Sequence, residues 1–510
     1  MSDMNEELLV AQHCHSNKAG GVHEPNSVAR AHRLIVRRRW RVVVSVVTTL
    51  TVVCGYALAG VLNLIDTPLT FSVAAPRNHM PFKHPTVISA TPLSGPVDSQ
   101  RPIDKDQAER LIDDFVHASG VDDNHFSIGI ADGEGHIVAS RQADLALEPA
   151  STMKTLTALA ASSALDMGST FTTATYLESS GERQRNSPIL TIKGDGDMLL
   201  GPGVNDPDHI NGRAGLASLA DQTARALLSR GVNRVRLCYD DSLFGDERYP
   251  ANISDNNPNH AQYTAVSSMA IDGGRQWGGL ASHDPDTYTA YPELSPTPAS
   301  DAANLFGELL AARGVTVESG PDQRSLPAGA SPVSQVRSAT LSEVLAFALR
   351  HSDNTLAELF GRLTALKSGT ANSPEGAMKA VRSKLAHLGV DLSNTQMADC
   401  SGLSPGSRLT TNTLLDVQAH NVKAGQGVAA AEGLSVPGLV GTAMGFLDDP
   451  DVAGLLRVKT GSLEGVSTLA GNVSRKGSGV LTFAIMTNGV TDIDAVHKAR
   501  DVFISGLAAL

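Results

Sequence analysis

Three short motifs in the chain combine residue types that can carry out acyl transfer. The first is a Ser-x-x-Lys pattern, Ser151 and Lys154, which opens an Ala/Leu-rich stretch over residues 155–166. Positions i and i+3 of a helix share one face with Cβ atoms about 5–6 Å apart, so the lysine can reach the serine hydroxyl. The motif predicts a serine nucleophile at a helix N-terminus, whose proton passes to a lysine of lowered pKa. The alternative is a helix that simply begins with serine.

The second motif, Ser352-Asp353-Asn354, joins two helix-like stretches at 341–350 and 355–366. The hydroxyl of Ser352 could relay a proton, and the amide of Asn354 could hold a substrate carbonyl. The alternative is an ordinary helix N-cap, to which all three residue types are suited.

The third motif, Lys459-Thr460-Gly461-Ser462, lies inside a strand-like apolar stretch at 455–463. Glycine on a strand permits close approach of a ligand to the backbone, and Lys459 offers a cation for a carboxylate. A strand end with a solvated lysine is the alternative for this motif taken alone. The three motifs in this order are, however, the signature of penicillin-binding proteins and serine β-lactamases.

Over roughly residues 105–510, the sequence resembles the D-alanyl-D-alanine carboxypeptidase/endopeptidase family, the low-molecular-mass class C penicillin-binding proteins. Besides the three motifs, the segments that carry the resemblance are Lys193–Asp197, Asp240–Phe244, Val266–Gly274, Asp399–Ser404, Gly441-Thr442 and Lys459–Val466. The chain departs from the family at Asp195 and Cys400, where glycines are usual, and at Met198, which replaces a proline. The resemblance implies an α+β fold, the penicillin-binding/serine β-lactamase-like transpeptidase fold, in which helices pack on an antiparallel sheet and a large domain is inserted.

The resemblance also implies a serine-type D-Ala-D-Ala carboxypeptidase, with DD-endopeptidase activity on cross-linked stem peptides of peptidoglycan. Ser151 would form the acyl-enzyme, Lys154 would act as general base, and Ser352 would pass the proton to the leaving amine. The residues implied in substrate binding are Asn354, Lys459, Thr460, Gly461 and Ser462, with the N–H groups of Ser151 and Ser462 as oxyanion hole. β-Lactams would be inhibitors, because no Glu-x-x-Leu-Asn segment for fast deacylation lies between the second and third motifs. A serine β-lactamase or esterase, and a catalytically silent cell-wall scaffold, are the alternatives.

The elements that must position these motifs come from both ends of the chain. Alternating apolar residues predict strands at 126–130, 136–140, 455–463, 467–473 and 480–487, which could share one sheet. A final helix is predicted after Thr491 and Asp494, placed like a capping box, with an apolar face made of Val496, Val502, Phe503 and Leu507. The long separation of Lys154 from Ser352 fits the family's inserted domain, at 173–335, between catalytic segments at 105–172 and 336–510.

The N-terminal region predicts a membrane anchor. Basic residues at 37–41 precede an uncharged, mostly apolar run that ends at Ile65 and is long enough to span a bilayer. The positive-inside rule predicts a cytoplasmic tail at 1–38, a transmembrane anchor at 39–65 and a Pro-rich linker at 66–104, with the catalytic domain outside. The alternative is a secreted protein with a cleaved signal peptide, because Ala57-Leu58-Ala59 resembles a cleavage site.

Composition excludes several other classes of protein. The net charge of −12 and the 4% aromatic content of the 510 residues disfavour nucleic-acid binding. Four dispersed cysteines and the absence of a His-Glu-x-x-His motif predict no metal and no cofactor. Four acidic residues near turns are interpreted as turn residues rather than calcium ligands, namely Asp195, Asp197, Asp240 and Asp241. The oligomeric state is not predicted.

The sequence alone leaves open the role of one histidine and the redox state of two cysteines. His351, beside the second motif, is interpreted as a helix-boundary residue, with an influence on catalysis as the alternative. Cys238 and Cys400 could form a disulfide, but the strand-like pattern around Cys238 favours a buried free thiol.

Overall fold

The computed structural model describes residues 101–510 apart from 179–186, 279–283, 289, 329, 424, 426, 447–451, 453 and 478, and in addition residues 45, 48–49 and 51–53. The chain divides into two units, Met1–Leu93 and Ser94–Leu510, and the described residues of the first unit are helical. No helix among the described residues is long and apolar enough to cross a membrane. The predicted tail (1–38), and most of the predicted anchor (39–65) and linker (66–104), lie outside the described residues.

The second unit contains both strands and helices. Its strands are β1 (Phe126–Asp132), β2 (Ile137–Arg141), β3 (Thr170–Glu178), β4 (Ile189–Gly194), β5 (Asp197–Leu200), β6 (Arg234–Asp240), β7 (Met269–Ile271), β8 (Thr316–Val317), β9 (Asp322–Gln323), β10 (Pro332–Thr340), β11 (Leu456–Leu463), β12 (Val466–Ser474) and β13 (Val480–Thr487). Its α-helices are α1 (Lys105–Ser119), α2 (Met153–Ala164), α3 (Leu216–Leu228), α4 (Pro298–Ala311), α5 (Leu341–Arg350), α6 (Asn354–Ser368), α7 (Pro374–Leu388), α8 (Thr411–Val422), α9 (Val428–Glu432) and α10 (Ile493–Leu507).

One sheet joins strands from both ends of the chain, in the order β11-β12-β13-β1-β2, with antiparallel pairing throughout. Because side chains alternate along a strand, Leu469 and Phe483 point to one face and enter the core shared with α1 and α10. Ala470 and Ala484 point to the other face, in the cluster that contains Leu156 of α2. The sheet therefore lies between two layers of helices, and the prediction that strands from both ends form one antiparallel sheet is confirmed.

A second sheet, in the order β10-β3-β4-β6-β8 with β9 also paired to β6, is built from residues between Thr170 and Thr340. Its pairing is antiparallel from β10 through β4 and parallel beyond it. Leu190, Leu237 and Phe306 belong to a hydrophobic core of its own. The predicted inserted domain (173–335) begins and ends inside β3 and β10, which pair with each other, and its bounds stay a prediction.

The predicted start of the C-terminal helix is wrong by one residue. Asp492, rather than Thr491, caps α10, because its carboxylate accepts a hydrogen bond of 3.0 Å from the backbone N–H of Ala495. Val502 is 67% exposed, whereas the other residues of the predicted apolar face are buried, namely Val496, Phe503 and Leu507. Six residues at about 100° each carry Val502 roughly 120° around the helix from Val496, so that it leaves the buried face.

Candidate active site

Ser151 lies on a 3-10 turn, Ala150–Thr152, directly before α2. Ala150 has a φ of 46°, in the left-handed region that residues other than glycine rarely adopt. Gly402 lies against this turn, since a Cβ atom there would be 1.9 Å from the carbonyl oxygen of Ala150. The contact with Gly402 therefore stabilises the strained turn at Ala150, the residue before the predicted nucleophile.

Lys154 contacts Ser151 as the sequence predicts. Its Nζ atom lies 2.8 Å from Ser151 Oγ, 2.6 Å from Asn354 Oδ1 and 2.9 Å from the carbonyl oxygen of Ser401. The side chain is only 1% exposed. Loss of hydration lowers the pKa of Lys154 to about 8, although nearby carboxylates, Asp399 foremost, oppose this shift. A substantial neutral fraction can therefore act as a base near neutral pH.

The carbonyl that binds Lys154 belongs to a loop organised by Asp399. The buried carboxylate of Asp399 accepts hydrogen bonds from the backbone N–H groups of Ser401 (3.0 Å), Gly402 (2.5 Å) and Ser404 (2.8 Å). It also accepts one of 2.8 Å from the hydroxyl of Ser401. The resemblance includes this segment, but no pattern in the sequence assigns it a contact with Lys154.

The second motif serves both as a helix cap and as part of the site. Asp353 caps α6 by accepting a hydrogen bond of 2.8 Å from the N–H of Leu356, and it also forms a buried ion pair of 2.5 Å with Arg275. Ser352 has a φ of 54°. The amide of Asn354 donates to the carbonyl of Gln262 at 2.8 Å, while its oxygen accepts from Lys154.

Lys459 approaches the second motif from β11. Its Nζ atom donates to Ser352 Oγ at 2.9 Å and to the carbonyl of Thr460 at 2.7 Å. The side chain is 0% exposed, and burial together with the charge of Lys154 lowers its pKa well below the usual range. The structure thus brings Lys459 to Ser352, and its direct contact with a substrate carboxylate stays a prediction.

Gly461 allows β11 to pass close to the nucleophile. A Cβ atom at Gly461 would lie 3.0 Å from the backbone nitrogen of Ser151, 2.8 Å from the carbonyl of Pro149 and 2.2 Å from Thr468 Oγ1. The hydroxyl of Thr468 donates to the same carbonyl of Pro149 at 2.8 Å. The absence of a side chain at this position is therefore needed for the two backbones to lie together.

A cleft of about 550 Å³ opens over these groups. Its lining includes the predicted residues Ser151, Ser352, Asn354, Thr460, Gly461 and Ser462. The two lysines lie beneath this surface. Residues of the predicted insertion form a further wall of the cleft, namely Asn256, Pro258, Gln262 and Tyr291. Another wall consists of Phe446, His497 and Arg500. Sequence reasoning did not single out the residues of these two walls.

His351 follows α5 as its C-cap, as interpreted from the sequence, and it also borders the cleft. Its ring stacks on Tyr288 with centroids 4.5 Å apart, and Nε2 lies 3.0 Å from the carbonyl oxygen of Asp286. Burial lowers the pKa of His351, so the neutral ring predominates at neutral pH.

Two of the acidic residues interpreted as turn residues form ion pairs, and two of the cysteines are free thiols. Asp240 pairs with Lys193 at 2.8 Å, and Asp241 pairs with Arg248 at 2.9 Å. No group of three or more His, Cys, Asp or Glu side chains arranged to hold a metal is found in the described part of the chain. Cys238 and Cys400 are both buried free thiols.

The chain is similar to several known proteins. Carboxypeptidase DacB of Mycolicibacterium smegmatis is 33% identical over 364 residues, which cover 69% of this chain and 74% of that protein. Crystal structures of penicillin binding protein 4 (dacB) from Haemophilus influenzae cover 78% of this chain and 99% of their own. The first has a TM-score of 0.62 at 19% identity, and the second, a complex with a novel β-lactam, has 0.56 at 20%. This likeness shows the penicillin-binding protein fold.

The family model described as D-Ala-D-Ala carboxypeptidase 3 (S13) matches residues 121–292 and 294–509. This match extends over most of the second unit and includes all three motifs. The resemblance inferred from the sequence is therefore confirmed, and the chain belongs to the D-Ala-D-Ala carboxypeptidase 3 (S13) family.

Proposed function

We propose that the protein is a serine-type D-Ala-D-Ala carboxypeptidase that acts on the stem peptides of peptidoglycan. The observation that carries the proposal is the contact of 2.8 Å between Lys154 Nζ and Ser151 Oγ, made by a buried lysine whose pKa is lowered to about 8. Membership of the S13 family supports the choice of substrate.

In the acylation step, neutral Lys154 takes the proton of Ser151 while Oγ attacks the carbonyl carbon between the two terminal D-alanines. The carbonyl oxygen gains negative charge, which the backbone N–H groups of Ser151 and Ser462 stabilise. As the tetrahedral intermediate collapses, the C–N bond breaks and the leaving amine takes a proton through Ser352. The contact of Lys459 with Ser352 supports this route, because it provides a second donor behind the hydroxyl.

In the deacylation step, water attacks the acyl-enzyme and releases the shortened peptide, while Ser151 recovers its proton. Asn354 holds the acyl part of the substrate in both steps, whereas Thr460 binds the terminal carboxylate of the leaving D-alanine only until the C–N bond has broken. A cross-linked stem peptide in place of the pentapeptide gives endopeptidase activity by the same steps. β-Lactams acylate Ser151 and inhibit, a proposal supported by the β-lactam bound to the Haemophilus influenzae relative.

We also propose a single-pass protein of the cell membrane, with a cytoplasmic tail (1–38), an anchor (39–65), a linker (66–104) and an extracytoplasmic catalytic unit. The basic residues at 37–41 and the apolar run after them support this topology. Digestion of intact spheroplasts by an added protease should remove the catalytic unit. Release of the whole mature chain into the medium would instead support the secreted form.

The decisive experiment labels the full chain with fluorescent penicillin beside Ser151→Ala, followed by mass spectrometry of the adduct. A long-lived adduct on Ser151, together with release of D-alanine from a pentapeptide, is expected. Fast destruction of a chromogenic cephalosporin would favour a serine β-lactamase. A folded protein that takes no label and consumes no β-lactam would favour a cell-wall scaffold.

A further inference from the structure

One wall of the cleft contains an arginine side chain. Helix α10 contributes His497 and Arg500 to this wall, next to Phe446. Within the described part of the chain, Arg500 is the only arginine, lysine, aspartate or glutamate that lines the cleft. Burial and the charge of Arg500 lower the pKa of His497, so the imidazole adds no charge at neutral pH.

The two lysines of the site do not present an accessible charge to a ligand. Lys154 and Lys459 are almost completely buried, and their amines are bound to Ser151, Asn354 and Ser352 and to backbone carbonyls. Burial also lowers the pKa of both, which reduces the fraction that is charged. A carboxylate that enters the cleft therefore meets the guanidinium of Arg500 as its accessible cation.

The side chain of Arg500 is held in a fixed orientation. Its side chain is only 9% exposed, Nε and Nη2 both donate to one oxygen of Asp501 at 2.9 and 2.8 Å, and Cζ lies 3.7 Å from the ring centroid of Phe446. Nη1 makes no hydrogen bond to the residues that the structure describes. The guanidinium is therefore oriented by Asp501 and the ring, with one edge left to donate to an anion.

We propose that Arg500 is a specificity-determining residue that binds the C-terminal carboxylate of the substrate. The inference rests on the proposed function, because only a carboxypeptidase needs to select a free carboxylate next to the bond that it cleaves. Thr460 and Ser462 line the same cleft and add hydroxyl donors to this site. Arg500 thus takes the role that the sequence assigned to Lys459, while Lys459 acts through Ser352.

The test uses the full chain and two acyl thioesters that differ only in the leaving group, which ends in a carboxylate or in the corresponding primary amide. Arg500→Gln is expected to lower kcat/KM for the carboxylate thioester by about tenfold to a hundredfold, the usual cost of losing a hydrogen bond to a charged group. The amide thioester should change by less than about twofold. Added salt should slow the wild type on the carboxylate thioester more than it slows the variant.

Two further variants separate charge from structure. Asp501→Asn removes the counter-charge, so it should keep or increase the preference for the carboxylate thioester. Arg382→Gln changes an exposed arginine of α7 outside the cleft and should leave both rates unchanged. Equal losses on both thioesters in Arg500→Gln, or no loss on either, would overturn the inference. So would a loss that follows a carboxylate placed on the acyl side instead of the leaving group.

The same assay distinguishes this inference from the proposed function. Hydrolysis of both thioesters by the wild type, with no difference in selectivity in Arg500→Gln, would reject the role of Arg500 alone. A folded wild type that hydrolyses neither thioester and takes no label from fluorescent penicillin would reject the proposed function, and the role of Arg500 with it.

Discussion

The pH dependence of acylation should report the titration of Lys154. Burial lowers the pKa of Lys154 from 10.5 to about 8, which corresponds to about 3 kcal/mol of preference for the neutral amine. At pH 7 about one tenth of the protein would then carry a neutral Lys154, against about three parts in ten thousand for an unperturbed lysine. The site therefore gains roughly 300-fold in available base at neutral pH.

The assay is the second-order rate of labelling by fluorescent penicillin between pH 6 and 9.5. We expect the rate to rise about tenfold per pH unit and to level off near pH 8, because only the neutral amine can accept the proton of Ser151. Lys154→Arg is the matched control, since a guanidinium keeps the charge and the donors but does not deprotonate. It should lose more than about 100-fold in rate at every pH. A flat profile in the wild type, or an unchanged profile in Lys154→Arg, would refute the assignment of Lys154 as base.

Two more predictions follow from close contacts and burial. Gly461→Ala should slow labelling by more than about 100-fold, because its Cβ would lie 3.0 Å from the nitrogen of Ser151. Gly203→Ala is the control and should have no effect on the labelling rate, because the space around Gly203 is open. Equal labelling rates in the two variants would contradict the close approach of β11 to Ser151. Glu358 is buried with a pKa raised from 4.5 to about 8, so the folded state binds its proton more tightly and loses stability as pH rises toward 8. In urea unfolding, Glu358→Gln should reduce the loss of unfolding free energy between pH 5 and pH 8 by about 3 kcal/mol, and an unchanged loss would show that Glu358 is not the titrating group.

The parts of the site that sequence predicts are those with a local signal. The spacing of Ser151 and Lys154 predicts their contact, because three residues bring two side chains to one face of a helix. The alternation of apolar residues likewise predicts β11, which carries Gly461, as a strand. Both inferences use only neighbours in the chain, for which helix and strand geometry are sufficient.

The contacts that connect the motifs have no such signal. Lys154 and Asn354 are 200 residues apart, and their hydrogen bond depends on how α2 and α6 pack. Every residue has a backbone carbonyl, so the residue type of Ser401 gives no indication that its carbonyl oxygen contacts Lys154. This contact could therefore not be predicted from the sequence. Arg500 belongs to an amphipathic helix whose polar residues ordinarily face solvent, and only the tertiary packing brings it into the cleft.

The proximity of the two buried lysines suggests how the proton moves between the two halves of the acylation step. Burial lowers the pKa of Lys459, and the charge of Lys154 lowers it further, so protonation of Lys154 disfavours protonation of Lys459. When Lys154 takes the proton of Ser151, Lys459 becomes a stronger acid, and its nearest hydroxyl is that of Ser352 at 2.9 Å. A proton driven onto Ser352 is then available to the leaving amine. Burial thus makes Lys154 a base, and the charge that Lys154 then carries makes a protonated Lys459 a stronger acid at the moment when the C–N bond breaks.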